Sequence, residues 1–118
     1  MNQILVVEDE AVIRAALRRL LERHEYRVSE AGSVRESLEK YDMDAFDVII
    51  SDLRLPGAPG TDLIKATSAP VLIMTSYSSI KSAIDSMKMG AVDYIAKPFE
   101  HNEIIEAVAK IIRENPRQ

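Results

Sequence analysis

Short aliphatic, β-branched runs alternate with longer segments of helical period all along this chain, and that alternation narrows the choice of fold more than any other feature. Gln3-Ile4-Leu5-Val6-Val7 opens the series as a buried strand. Tyr26 to Ala31 is mixed and alternating, as an edge strand is, and Phe46 to Ile50, Val71 to Met74 and Val92 to Ala96 follow. Ile13, Ala16, Leu17, Leu20 and Leu21 fall at i, i+3, i+4, i+7 and i+8, one face of a first helix that Asp9 can cap. Gly32-Ser33 starts a second helix to about Tyr41, with Val34, Leu38 and Tyr41 inward. A short third helix is expected around Thr61 to Ala66. The fourth runs from about Ser79 to Met89, with Ile80, Ala83, Ile84 and Met87 on one face and Gly90 at its end. The fifth, about Asn102 to Glu114, buries Ile104, Ala107, Val108, Ile111 and Ile112 before Pro116 stops it. Strict alternation of this kind implies an α/β fold, a doubly wound parallel sheet with helices on both faces.

A chain of 118 residues suits one domain with a single real core, here residues 1–118, of which 115–118 form a frayed tail or the start of a linker. The absence of cysteine excludes a disulfide framework and a thiolate metal site. A net charge of -4 argues against direct nucleic-acid binding by this segment. His24 and His101 lie far apart beside charged neighbours, where surface positions are expected. Ile4 to Val7 is too short for a signal segment, and nothing has the length of a membrane span. No membrane role is expected, and a cytoplasmic location is the default.

In a doubly wound sheet all strand C-termini share one rim, and ligands sit in its crevice at the point where strand order reverses. The stretch VIISDLRLPG places Asp52 there, between a buried strand and a loop that Pro56-Gly57 makes obligatory. The first strand delivers Glu8-Asp9, the fourth Thr75-Ser76 and the fifth Lys97-Pro98. Each residue alone has a plain structural reading, Asp52 and Thr75 as caps, Glu8 and Asp9 as partners of a helix dipole, Lys97 as a solvated amine. Jointly they gather three carboxylates, a hydroxyl and an amine on one rim. Crowded carboxylates repel, and a hard divalent cation with oxygen ligands relieves them; Mg²⁺ prefers one or two carboxylates plus water and phosphate oxygens. One carboxylate is then placed to attack a phosphoryl group, while Mg²⁺, Lys97 and Thr75 offset charge on the phosphoryl oxygens. No histidine base is needed, because an ionised Asp52 is already a nucleophile.

ILVVEDE, VIISDLRLPG, VLIMTS and YIAKPF together resemble the receiver domains of two-component response regulators, with every motif in order over residues 3 to 113. The resemblance implies a flavodoxin-like sheet of five parallel strands in the order 2-1-3-4-5. It implies Asp52 as phosphoacceptor from a sensor histidine kinase, with Glu8, Asp9, Asp52 and the Arg54 backbone carbonyl around Mg²⁺ or another divalent cation. Thr75 would be the switch hydroxyl, Lys97 the phosphate-pairing lysine and Tyr94 the aromatic that changes rotamer. Pro98 would follow a cis peptide bond. Such a domain turns over no separate substrate beyond its own phosphorylation and dephosphorylation. Its surface of fourth helix, fifth strand and fifth helix commonly carries phosphorylation-linked homodimerisation, and Ile105 and Ala109 lie on the flank of that last helix. The runs MTSYSS and MKMGAVDYIAKPF look most like receivers attached to enhancer-binding transcription activators.

Two departures from the family pattern stand out. The segment from Thr61 to Pro70 is shorter by about one helical turn, so the third helix should be stubby or partly unwound. Pro59 stands where a polar residue is common and stiffens the loop beside the site. Two rival readings fit less well. A haloacid-dehalogenase-like phosphatase needs an Asp-x-Asp pair, whereas Asp9 is followed by Glu10 and Ala11. A phosphate-independent module on the same fold usually loses the acidic pair, the acceptor or the lysine, and this chain keeps all of them.

Overall fold

A computed structural model describes residues 1–76 and 79–116. Tyr77 and Ser78, within the MTSYSS run, and Arg117 and Gln118, in the expected tail, lie outside the described residues. The strands are β1 (Gln3–Val7), β2 (Arg27–Ala31), β3 (Val48–Asp52), β4 (Val71–Ser76) and β5 (Asp93–Lys97). All pair in parallel, in the order β2-β1-β3-β4-β5, as the resemblance implies. The helices are α1 (Ala11–Arg23), α2 (Val34–Lys40), α3 (Ile80–Lys88) and α4 (His101–Glu114). The segment expected to be a stubby helix, Gly60–Ala66, is 3-10 rather than α, as is a turn at Met43–Ala45. The fourth and fifth helices expected from the sequence are therefore α3 and α4.

The alternation of side chains along each strand divides the core into two layers. Ile4, Val6, Val48, Ile50, Leu72, Met74 and Ile95 pack against Leu17, Leu20 and Leu21 of α1 and Ile104, Val108 and Ile111 of α4. Leu5, Val7, Ile49, Val71 and Ile73 face the other way, toward Val34 of α2, Leu63 of the 3-10 segment, Met43 and Phe46. Ile4 to Val7 and Val48 to Ile50 are all fully buried, and each such side chain contributes roughly 1.5–3 kcal/mol on leaving water. The edge placement of β2 follows its composition, with Arg27 exposed and Ser29 and Glu30 half-buried.

Three expectations from periodicity are corrected. In α2 the buried residues are Val34 and Ser37, whereas Leu38 is 47% exposed. The helix has only seven residues, and Tyr41 follows it in extended conformation yet still packs half-buried against the core, as expected. In α3 the buried residues are Ala83 and Ser86, while Ile84 and Met87 point outward at 46% and 37% exposure and Ile80 is half-buried. Small side chains let this helix approach β4 and β5 closely, and the larger apolar groups are left on the flank. In α1 the residue at the N-cap is Glu10, without a side-chain cap bond, so Asp9 does not cap this helix; Ala16 is exposed and Ile13 half-buried. Elsewhere the expected ends hold: Ser33 caps α2 by accepting the Glu36 N–H, Gly90 follows α3 at φ 116°, and α4 stops before Pro116. His24 and His101 are both exposed.

Candidate functional site

The phase of the strands decides which side chains meet at the rim. Glu8 continues the series Ile4, Val6; Asp52 continues Val48, Ile50; and Lys97 continues Ile95. Val6 pairs with Ile50, and Asp52 and Ile95 both pair with Met74, so the three charged ends emerge on one side of the sheet. Thr75 has the opposite phase, that of Val71 and Ile73, and so does Tyr94, the partner of Ile73. The rim therefore has a charged side and a hydroxyl side.

Glu8 is fully buried and Asp52 is 9% exposed, whereas Asp9 opens to solvent. One oxygen from each of these three carboxylates lies within 4.8 Å of the others. Lys97 Nζ donates to Asp52 Oδ2 at 3.0 Å and to Glu8 Oε1 at 3.4 Å. Burial, then the charge of Asp52, then a hydrogen bond with Asp9 push the Glu8 carboxyl up to about 7, against the weaker pull of Lys97 and the Glu10 N–H. For Lys97, burial works to lower the ammonium, but the hydrogen bond and charge of Asp52, together with Glu8, more than offset it and leave it raised. One lysine does not neutralise three carboxylates.

An all-oxygen donor set, short of positive charge and open on the Asp9 side, fits a hard divalent cation such as Mg²⁺. Asp9, Glu10, Asp52, Leu53, Arg54, Thr75, Ser76, Ser79 and Lys97 line the crevice, of about 250 Å³. The Thr75 hydroxyl is almost fully buried and donates to the Ser76 carbonyl at 3.3 Å, at the margin of a hydrogen bond. Tyr94 stands apart from the crevice, half-buried against the opposite core layer. The Lys97–Pro98 peptide is cis, as the resemblance implies.

Three neighbours of the site were not singled out from the sequence. Arg54 Nε donates to Ser79 Oγ at 3.2 Å, joining the loop after β3 to the start of α3. No pattern in the sequence marks Ser79 for this contact. Gly60 donates its N–H to the Leu53 carbonyl at 2.9 Å, folding the loop back onto the acceptor strand. A Cβ on Gly60 would stand 2.1 Å from the Asp52 carbonyl oxygen and 2.6 Å from Ser51 Oγ, so only glycine fits there. In the sequence Pro59-Gly60 reads as loop, but not as this approach. Arg14 Nη1, lastly, donates to the Glu8 carbonyl at 2.6 Å.

Fold and site together define a flavodoxin-like domain built around an aspartate-centred acidic crevice with a lysine in its wall. Comparison with known proteins points the same way. The response regulator receiver domain family matches residues 4–109, and the chain belongs to that family. The transcriptional regulatory protein FixJ of Bradyrhizobium diazoefficiens is 33% identical over 118 residues, covering 96% of this chain and 58% of that protein. The transcriptional regulatory protein ZraR of Escherichia coli is 35% identical over 114 residues, 92% of this chain and 26% of that protein. A response regulator receiver domain protein of Clostridium thermocellum has a TM-score of 0.90 at 29% identity, covering 97% of this chain and 96% of that one. The chain thus spans little more than half of FixJ and about a quarter of ZraR. Among the described residues, no helix is long and apolar enough to cross a membrane.

Proposed function

We propose that this domain, residues 1–118, is a phosphoacceptor switch in which Asp52 receives a phosphoryl group from a sensor histidine kinase. The observation that carries the reading is the Asp52 carboxylate, nearly buried on the central strand end, 3.0 Å from Lys97 and beside Glu8 and Asp9. A carboxylate oxygen of Asp52 attacks phosphorus, an acyl phosphate bond forms, and the phosphorus–nitrogen bond to the donor histidine breaks. Lys97 is placed to follow the charge from the carboxylate to a phosphoryl oxygen, since its ammonium already bonds Asp52. Glu8, Asp9 and Asp52, with the Arg54 carbonyl, would hold Mg²⁺, which when bound supplies charge neutralisation at the transferring group.

Switching follows from the other side of the rim. Among the described residues the Thr75 hydroxyl is held by a long bond to its neighbour's carbonyl, and it can turn to a phosphoryl oxygen. Its movement opens space on the face it shares with Tyr94, one strand away. The surface of α3, β5 and α4 would read that change, forming a phosphorylation-linked homodimer and controlling an output such as transcription. Outward Ile84 and Met87 support this surface. Ile105 is half-buried against the α1 and α4 layer, so it contributes less of an outward anchor.

The test is direct. After incubation with a small amido or acyl phosphate and Mg²⁺, intact mass should show one phosphate adduct, absent in Asp52→Asn. An adduct undiminished in Asp52→Asn, or none in the native chain, would refute the assignment.

A further inference from the structure

We infer that Arg14 is a positioning residue for the acidic pair, fixing the backbone that carries Glu8 and Asp9 and thereby setting the affinity of that pair for a divalent cation. The inference rests on the metal-assisted phosphoacceptor reading above. Arg14 lies in the first turn of α1 and is mostly buried, its side chain 23% exposed. Its Nη1 donates to the Glu8 carbonyl oxygen at 2.6 Å, and its Nε donates to Glu30 Oε1 at 3.2 Å. The other oxygen of Glu30 accepts from Arg18 Nη1 at 2.6 Å, so the carboxylate that holds Arg14 is itself held.

The backbone of residues 8–10 is therefore fixed at successive points. The Glu8 N–H donates to the Ala31 carbonyl at 3.0 Å, the Glu8 carbonyl accepts from Arg14, and the Glu10 carbonyl accepts the Arg14 N–H at 3.0 Å. Asp9 sits between these anchors on an exposed stretch. The guanidinium also lies close to the loop after β2: a Cβ on Gly32 would stand 3.6 Å from Arg14 Nη1 and from Glu36 Oε1, and the Glu36 carboxylate accepts the Gly32 N–H. One side chain thus ties the loop bearing the acidic pair to the neighbouring strand β2. An ion pair with Glu30 alone would require only a cation. A donor on a carbonyl and a second donor on a carboxylate from one rigid group require the fork of arginine, which a lysine ammonium cannot reproduce. Partners that orient ligands without touching the cation set metal affinity in this way.

The experiment titrates the full chain with Mn²⁺, an oxygen-preferring stand-in for Mg²⁺, and follows the free ion by electron paramagnetic resonance. Arg14→Ala should raise the Mn²⁺ dissociation constant by roughly 10- to 100-fold. Arg14→Lys, which keeps the charge but loses the fork, should raise it nearly as much as Arg14→Ala. Glu30→Gln, which leaves the Glu8 carbonyl contact in place, should raise it less than Arg14→Ala. Metal-free melting curves establish that each variant is folded; if Arg14→Ala is not, Arg14→Lys against Glu30→Gln carries the same comparison. Native affinity in a folded Arg14→Ala chain would overturn the inference, as would equal losses in Arg14→Ala and Glu30→Gln, which would assign the effect to the ion pair. A native chain that binds no Mn²⁺ would instead overturn the metal reading itself, and the inference with it.

Discussion

The two faces of the sheet are built on different terms. Over one lie α1 and α4, the longest helices, presenting Leu17, Leu20, Leu21, Ile104, Val108 and Ile111 to a continuous aliphatic layer. Over the other lie α2, the 3-10 segment and α3, which bury Val34, Ser37, Leu63, Ala83 and Ser86 and leave Leu38, Ile84 and Met87 outside. The charged groups of the rim, Glu8, Asp52 and Lys97, share the phase of the first face, while Thr75 and Tyr94 share the phase of the second. The charged groups of the proposed phosphoacceptor site stand over the layer covered by the two longer helices. The residues expected to move stand over the layer with smaller side chains and shorter helices.

The sharpest way to break this comparison is a pair of truncations. Leu21→Ala, in a fully buried position under α1, should cost about 2–5 kcal/mol in chemical denaturation. Ile84→Ala on α3 should stay within about 0.5 kcal/mol, as exposed positions usually do. Comparable losses would show that the second face packs as firmly as the first.

Metal should act on the charged side of the rim. Mg²⁺ at a hundred times its dissociation constant should stabilise the fold by about 2.7 kcal/mol, read as a rise in melting temperature over chelator. Asp9→Ala should narrow that gap, because it removes one of the three clustered carboxylates. Coincident curves at saturating Mg²⁺ would exclude a cation there.

A further effect concerns pH in the metal-free chain. With its carboxyl raised from 4.5 to about 7, Glu8 keeps a proton in the folded state that the unfolded chain has already released. Between those values the native state binds more protons, so stability should fall as pH rises and level off above about 7. Glu8→Gln should flatten this slope in denaturation at constant ionic strength; an unchanged slope would place its origin elsewhere.

The variant that sharpens the comparison most is Thr75→Ala. It removes a marginal hydrogen bond to Ser76 and one buried methyl group, so the loss should be about 1 kcal/mol in chemical denaturation. The variant should still accept phosphate at Asp52, yet the amide shifts around Tyr94 should no longer follow phosphorylation. Shifts equal to those of the native chain would separate Tyr94 from Thr75.

The same division governs what could be read from the sequence. Helical period located the buried side of α1 and α4 because large aliphatic residues carry both the pattern and the packing. In α2 and α3 it placed Val34 and Ala83 inward correctly but missed Ser37 and Ser86, and it turned Leu38, Ile84 and Met87 inward although they sit outward. The rim was legible because strand ends and parallel order place Glu8, Asp9, Asp52, Thr75 and Lys97 without side-chain detail. Arg14, Gly60 and Ser79 were not, since their contacts depend on how loops fold back over the rim, and no short-range pattern encodes that.

Gly57 and Gly60 show how unequal two residues of one loop can be. Gly57, at φ 87°, has open space where a Cβ would go, so its left-handed backbone and not crowding limits replacement there, and asparagine is the natural choice. At Gly60 the obstacle is the Asp52 carbonyl itself, and no choice of rotamer avoids it. The loop after β3 therefore has a free tip and a fixed base: a side chain at the tip meets open space, whereas one at the base displaces the peptide that carries Asp52.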